Sequence, residues 1–587
     1  MRRFVIPVLV FAASVAVYLP TLKFDFVYDD PRQIEMMESR FTWSQVPSYF
    51  ATDVWSYVQD HPTNYYRPIF VIWMLVTYQL FGLSHPLWHA SAILLHALAA
   101  LLLYFLARRL IGDRVTAGFA GLLFAVYPIH VEAVAWVSGA TEPLCAIFFF
   151  ATLLCYIASR QEQEPKRARW WRIGAVASFT VAVFAKETAV VLPALIFAYA
   201  WLFPESARES RGKRARSAFF TSIPYLQVLI LYFGMRFFGL GAFSRVIGLW
   251  PVKSMIATLP LTAWFYLRGL LWPVNLSLFP SMTAVRQLGF GNFVLPAIAA
   301  ALVVAALLWI SLRSPLAAFC SMMLVAPLLP VFDLMAFAPE DFVHDRYLYT
   351  PSAGGCLLLA IGLRAMFLLA SKSRAEPRRI QAQAALIAPV IAKVAIIAIL
   401  AFLTVRESQA WKDQMTLANH TVALAPQGEM AQQLLASALT VEDRYAEALP
   451  LLEQSVAAHP RNTGGHLSVG VAYLKTKNWD KAATEFRIVV TALPDSARAH
   501  LCLGMAELEM GQVSDAETDM REAIRLRPRL SVQYRGYRSF LADLLERKGD
   551  LKGALEEYNR ELEEYPDEDW VLDRAVALKK RIADSQN

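Results

Sequence analysis

A chain of 587 residues that is 56% hydrophobic and only 18% charged falls short of the charged share of about 25% usual for soluble domains, which excludes a purely soluble protein. The net charge of +7 does not signal nucleic acid, because the Lys and Arg residues of the apolar part cluster in short loops between apolar runs, as membrane orientation requires. The five Cys have no paired spacing, so neither a disulfide framework nor a zinc site is expected. Residues 1–404 hold long apolar runs and residues 405–587 are polar and patterned, which predicts a membrane domain followed by a second domain.

The first apolar segment, Phe4 to Leu22, has 19 residues and is long enough to cross a bilayer. Met1-Arg2-Arg3 before it suggests an uncleaved first span with the N-terminus inside. Asp29 and Asp30 follow at the opposite surface, where mutual repulsion and a low dielectric favour tuning one of them toward general-base work; the plainer reading has Asp29 capping a turn begun by Pro31. An aromatic-rich stretch with Trp43, Tyr49, Phe50, Trp55, Tyr57, Tyr65 and Tyr66 suits the membrane interface. Arg67-Pro68 opens a short helix to Gly82, expected along the surface or re-entrant.

Spans are then expected at His85 to Leu106, Val115 to His130 and Pro143 to Ala158, with a hairpin at Ile173 to Phe203. Further spans are expected at Phe219 to Phe238, Asn292 to Leu312, Leu316 to Leu334, Leu348 to Ala370 and Ala385 to Leu403. With Met255 to Leu271 placed at the interface, this makes eleven spans, keeps Lys372, Arg374, Arg378 and Arg379 inside, and leaves the tail outside. Lys186-Glu187 falls in the middle of the hairpin, where ionisable groups are expensive and a functional role competes with a self-neutralising pair.

The tail repeats. Pro426, Pro460, Pro494 and Pro528 are each 34 residues apart, as are Ala448, Ala482 and Ala516, and Gly470 and Gly504 share the period. That is the tetratricopeptide period, with each repeat two antiparallel helices. A last repeat with Ala554, Tyr558 and Pro566 is displaced by four residues, and Trp411 to Pro426 is a half repeat abutting the membrane. The fold expected is therefore all-α: a membrane helix bundle over 1–404, a repeat solenoid over 405–568 and a terminal helix or tail over 569–587. The concave face of such a solenoid suits an extended peptide or a protein.

This topology gathers Asp29, Asp30, Arg67, His85, His89, His130, Glu132, Glu142, Lys186, Glu187, His344, Asp345 and Arg346 on the outer face, opposite the basic loops. Convergent acids and bases at one leaflet are the pattern of a membrane enzyme. Singly, each has a plainer reading, such as Glu142 serving as a helix-start carboxylate before Pro143. A nonenzymatic anchor for the repeats, or a transporter of lipid-linked sugar, are the alternatives; the transporter would show repeated spans and broken helices at the midplane.

The motifs Tyr28-Asp29-Asp30, Tyr66-Arg67-Pro68, His85-Pro86 with Leu95-His96, the run from Tyr127 to Trp136, Lys186-Glu187-Thr188, and Asp345 to Ser352, followed by 34-residue repeats, resemble the transmembrane and tetratricopeptide-repeat O-mannosyltransferases. That family belongs to the type C glycosyltransferases. The resemblance implies a sugar taken from a polyprenyl phosphate and passed to a protein hydroxyl at the outer membrane face, the repeats binding the acceptor. It also implies Asp29 as catalytic base and Arg346 as phosphate holder. Asp30 and Glu132 are further candidates for the acid-base work, with Lys186 and Arg67 as further cations. Asp345 stands where the family pattern has Glu, and the array is short, so the chain looks like a bacterial relative, in an inner membrane with its repeats facing the periplasm. No ligand set demands a metal, although Asp29-Asp30 with Glu132 offers a place for a divalent cation.

Overall fold

The first apolar segment forms a helix, Val5–Tyr18, that tightens into a 3₁₀ turn over Leu19–Lys23 before the chain opens into the loop carrying the two aspartates. This computed structural model describes residues 4–37, 40–56, 63–206, 208–244, 250–338, 341–372, 379–527 and 534–584. Met1 to Arg3, Tyr57, Arg374, Arg378 and Pro528, which the sequence analysis used, lie outside the described residues. Among those described there is no β-strand, and the chain divides into two compact units, Met1–Gly428 and Glu429–Asn587.

Among the described residues, eight helical segments of the first unit are long and apolar enough to cross a membrane, or nine if the bent pair Arg114–Ala125 and Pro128–Ala135 is one span. They coincide with the expected segments, and the chain is a multi-pass integral membrane protein. The difference from eleven lies in the two arms of the hairpin. Pro165–Ala185 begins with Lys166, Arg167, Arg169 and Arg172, and its partner Glu187–Leu202 is short. Lys186 between them is extended, which breaks the helix where the ion-forming pair enters. Lipid-facing character is plain on Phe290–Arg313, where Leu302, Leu308 and Leu312 are exposed, and on Ala388–Trp411, where Ile391, Val394 and Phe402 are. Apolar helices with exposed Leu and Phe on this scale belong in hydrocarbon.

Inside the unit the helices approach closely where small residues allow it. A Cβ on Gly354 would lie 2.4 Å from the backbone N of Leu324, so Tyr349–Lys372 meets Pro315–Val325 through glycine, the usual device where apolar burial no longer drives association. Val252–Leu271 buries Ser254, Thr258, Thr262 and Tyr266 along one face, while Pro68–Phe81 is capped by Gly82 at φ +55°. The first unit runs beyond residue 404. After the last membrane helix, Gln409–Trp411 and Gln414–Leu424 fold back onto it, so the expected half repeat belongs with the membrane domain.

Among the described residues the second unit is four antiparallel helix pairs, from Glu429–Val441 with Tyr445–Ala458 to Tyr537–Lys548 with Leu551–Glu564, followed by Asp569–Asp584. Gly470 packs against Phe486, whose ring would be 2.5 Å from an added Cβ, which explains why the period keeps a small residue there. The turn inside each pair takes one left-handed residue: Asp443 and Lys477 in the first two, Gly511 and Gly549 in the last two. A residue with a Cβ holds that conformation at a cost of about 1–2 kcal/mol. Lys477→Gly is therefore expected to stabilise the repeats by about 1 kcal/mol, while Lys477→Ala changes little; chemical denaturation of the full chain followed by far-ultraviolet circular dichroism checks both.

Candidate active site

The loop after the first span is shaped by Tyr28, which adopts φ +58°, a conformation that non-glycine residues occupy only when their surroundings hold them there. The chain turns at this point and the two neighbouring aspartates part. Asp30 is fully buried. Its Oδ1 accepts hydrogen bonds from Ser138 N (2.7 Å) and Ser138 Oγ (2.6 Å), and its Oδ2 accepts one from Val27 N (3.3 Å). Asp29 is half-buried, and among the described residues no donor binds its carboxylate. Its backbone carbonyl, not its side chain, accepts the bond from Gln33 N (2.9 Å), so the carboxylate is no helix cap. Burial and then the charge of Asp30 push the Asp29 carboxyl up to about 7, against the pull of Arg346 and Arg32. Asp30 is also pushed up to about 7 by burial, which its bonds to Ser138 only partly offset.

Arg346 approaches the same space from the start of the Tyr349–Lys372 helix. Its backbone N donates to Glu132 Oε2 (2.9 Å) and its Nη1 pairs with Glu132 Oε1. Glu132 thus clamps the arginine, with one carboxylate oxygen on each of the two donors. The guanidinium lies 5.3 Å from the Trp136 ring centroid and 5.1 Å from that of Tyr347, within cation–π range of both. Tyr28 and Phe279 close the wall next to Trp136, the Tyr28 ring centroid lying 5.6 Å from that of Trp136 and 5.7 Å from that of Phe279.

Beyond Tyr347 stand two more ion pairs. Lys186 and Glu142 form a salt bridge in which each side chain is 2% exposed, and the Lys186 ammonium is 5.0 Å from the Tyr347 ring centroid. Glu187 takes Arg67 in a fork, Nε at 3.1 Å and Nη2 at 2.5 Å. The two adjacent residues do not neutralise each other; each reaches a different loop. Arg67 also lies 4.7 Å from the Tyr65 ring centroid. Removing one member of a buried pair leaves a lone charge, at about 3–5 kcal/mol. Glu142→Ala is expected to cost that much, and Glu142→Ala with Lys186→Met distinctly less, as read from thermal unfolding of the purified protein.

The remaining expected residues lie elsewhere. His130 Nε2 is 2.8 Å from Ser352 Oγ, and its ring packs among Phe124 and Tyr349, because the 48° bend after Ala125 turns it inward. His85 lies between Asp25 (3.6 Å) and Glu35 (3.9 Å) beside Phe26, and His89 is buried next to Phe24. Asp345 points away from Arg346 and accepts from Ser277 N (3.2 Å) in a small recess bounded also by Glu407 and His420. Asp341, which holds His344 Nε2 at 3.1 Å and acts on Asp29 by charge repulsion, was missed, as were Tyr28, Tyr65 and Trp136 as wall residues. Trp136 ends the quoted Tyr127 motif, a signal that was on hand. Of the carboxylates considered for a divalent cation, Asp30 faces Ser138 and Glu132 faces Arg346. Among the described residues, no three acidic, His or Cys side chains are disposed to hold an ion.

Residues 61–235 match the family model described as dolichyl-phosphate-mannose-protein mannosyltransferase, and residues 434–497 and 501–569 match the tetratricopeptide repeat. The human protein O-mannosyl-transferase TMTC2 is 29% identical over 236 residues, covering 39% of this chain and 28% of the relative. The human protein O-mannosyl-transferase TMTC3 is 25% identical over 530 residues, covering 83% of this chain and 54% of the relative. The crystal structure of ArnT from Cupriavidus metallidurans bound to undecaprenyl phosphate is 16% identical, covers 88% of this chain and 79% of that one, and gives a TM-score of 0.39. The chain is thus a polytopic membrane protein with a segment similar to mannosyltransferases, followed by a tetratricopeptide array. In the order of these two parts it is similar to the transmembrane and tetratricopeptide-repeat O-mannosyltransferases. It spans between about a quarter and about half of the length of these two human relatives.

Proposed function

We propose that this chain transfers a sugar, mannose by analogy with its relatives' names, from a polyprenyl-phosphate donor to a protein hydroxyl at the outer face of the membrane. The single observation that carries this reading is the pairing of Asp29, whose carboxylate no donor among the described residues binds, with a clamped guanidinium, Arg346, whose charge reaches it. In the transfer step Asp29 takes the acceptor O–H proton, and the oxygen attacks the anomeric carbon. The bond from that carbon to the phosphate oxygen breaks, and its electron pair leaves on the phosphate, where Arg346 meets the developing charge. Tyr28, Trp136, Tyr347 and Phe279 give a sugar aromatic walls. The polyprenyl tail would lie in the bilayer against the first unit. No step is assigned to a metal.

The basic residues support this orientation. Arg108 and Arg109 end His85–Ile111, Arg160 ends Thr141–Gln161, and Arg211 and Lys213 begin Arg211–Leu240, while Asp29, Arg67, Glu142, Lys186 and Arg346 stand at the other ends of the membrane helices. By the positive-inside rule the site then faces outward, in a bacterium toward the periplasm, and the repeats follow on the acceptor's side.

Purified protein in liposomes, supplied with polyprenyl-phosphate mannose and a Ser/Thr-rich peptide, should add a hexose to the peptide. Unmodified peptide, with outer-surface glycoproteins unchanged by mass spectrometry when the gene is deleted, would sink the proposal. Because the base must be deprotonated and its carboxyl lies at about 7, kcat should climb about tenfold from pH 6 to a plateau near pH 8. A flat profile across that range would remove Asp29 from the role.

A further inference from the structure

The stretch that leaves the last membrane helix does more than connect. We propose that residues 409–424 are a working wall of the active site, with Gln414 positioning the catalytic base Asp29 and Trp411 bracing Arg346 through Trp136. This rests on the roles of Asp29 and Arg346 argued above.

Two hydrogen bonds tie the Asp29 loop to this stretch. Asp25 N donates to the carbonyl of Lys412 (3.0 Å), and Tyr28 N donates to Gln414 Oε1 (2.7 Å). The second bond falls on the residue that needs it. Tyr28 holds the left-handed backbone from which Asp29 and Asp30 diverge, and such a conformation persists only where neighbours over-determine it. Ser138 fixes Asp30 on the far side of the turn, and Gln414 fixes Tyr28 on the near side, with Asp29 between the two anchors. Without the glutamine oxygen the Tyr28 N–H loses this acceptor, and the turn that aims Asp29 can relax toward an ordinary backbone.

Trp411 reaches the other half of the site. It stacks on Trp136 with ring centroids 6.2 Å apart and planes at 21°. The same Trp136 ring holds the Arg346 guanidinium at 5.3 Å and touches Tyr28 at 5.6 Å. One stretch therefore supports both the base and the phosphate-binding cation. It is braced independently of either: Asp413 caps its helix through Thr416 N (2.8 Å), and His420 Nε2 donates to the carbonyl of Leu276 (2.9 Å), beside the Ser277 that holds Asp345. Changing Gln414 should thus disturb the loop and leave the stretch in place.

The test uses the full chain in liposomes with polyprenyl-phosphate mannose and the Ser/Thr-rich peptide. Gln414→Leu removes the acceptor at similar size and should lower kcat at least tenfold while leaving the KM for the donor within twofold, because aiming the base does not hold the lipid. Gln414→Glu keeps an oxygen for Tyr28 N but sets a negative charge near Asp29. Its plateau kcat should recover to within about threefold of the parent, with the rising limb of the pH profile moved upward. A residue that merely fills space would not move that limb. Hydrogen exchange supplies a readout independent of turnover: the peptide covering Val27 to Asp30 should exchange at least tenfold faster in Gln414→Leu than in the parent. Unchanged exchange, or kcat within twofold of the parent in Gln414→Leu, overturns the inference. Asp29→Asn in the same assay separates the two levels. If it is inactive while Gln414→Leu turns over normally, only the present inference fails; if it transfers like the parent, the catalytic reading fails and takes this one with it.

Discussion

Asp29→Asn should leave a folded protein that still binds donor lipid and transfers sugar about 10²–10⁴ times more slowly, the usual cost of losing a general base. The structure sharpens that expectation because Asp29 contributes little to holding the fold together. Among the described residues no donor binds its carboxylate, and burial beside Asp30 already disfavours its charged form, so the amide removes an unfavourable charge and keeps the size. Asp30→Asn is the contrasting change. Its carboxylate receives three hydrogen bonds from Ser138 and Val27, and an amide replaces one acceptor oxygen with a donor, at about 1–3 kcal/mol for a buried group left unsatisfied. One aspartate should therefore fail in the transfer assay at normal thermal stability, and its neighbour should show a lowered melting temperature. Transfer within a few-fold of the parent in Asp29→Asn would make Asp29 structural. Asp30, which accepts from Ser138, and Glu132, which accepts from Arg346, would then be the next candidates for the base.

The helices and the repeats were legible because their signals are local. An apolar run of span length, or a small residue returning every 34 positions, reports on its own segment whatever else the chain does. That Asp29, Arg67, Glu142, Lys186, Glu187 and Arg346 could be grouped together was legible too, since alternating spans and the placement of basic loops put them at the same ends of the helices. Which of them meet was not. Lys186 reaches back 44 residues to Glu142, and Glu187 reaches 120 residues to Arg67, choices made by helix packing that no neighbouring residue announces. The division of labour between Asp29 and Asp30 turns on the left-handed backbone of Tyr28, and a tyrosine, unlike glycine or asparagine, carries no mark of that conformation. His130 looked like a site residue by its place in the Tyr127 motif, but a bend of 48° sends its ring into the aromatic interior. The boundary after residue 404 followed the end of apolar composition, whereas the compact unit runs to Gly428 because polar contacts, invisible to composition, hold residues 409–424 to the membrane domain.

Arg346→Ala is expected to cost about 10²–10³ in transfer, the usual penalty for removing one preorganised donor to a developing oxyanion, and to raise the donor KM as well. The two effects belong together because a polyprenyl phosphate is already anionic before the bond to the sugar breaks, so the guanidinium serves both the bound donor and the departing phosphate. Arg346 is prepared for this. Glu132 takes Nη1 and the backbone N–H, Trp136 and Tyr347 flank the guanidinium, and among the described residues no hydrogen bond takes Nε or Nη2, the fork that the proposed function gives to phosphate oxygens. Alanine also strands the Glu132 carboxylate in a buried setting, so lost activity in that variant alone would mix catalysis with folding. Arg346→Lys resolves the two. Lysine restores a charge for Glu132 but offers a point charge in place of a planar fork, so thermal stability should return nearly to that of the parent while transfer recovers only partly. Full recovery of kcat and KM by lysine would show that charge alone suffices and would remove the bidentate clamp. Recovery of stability with neither kcat nor KM restored would place the specificity of the step in the fork itself.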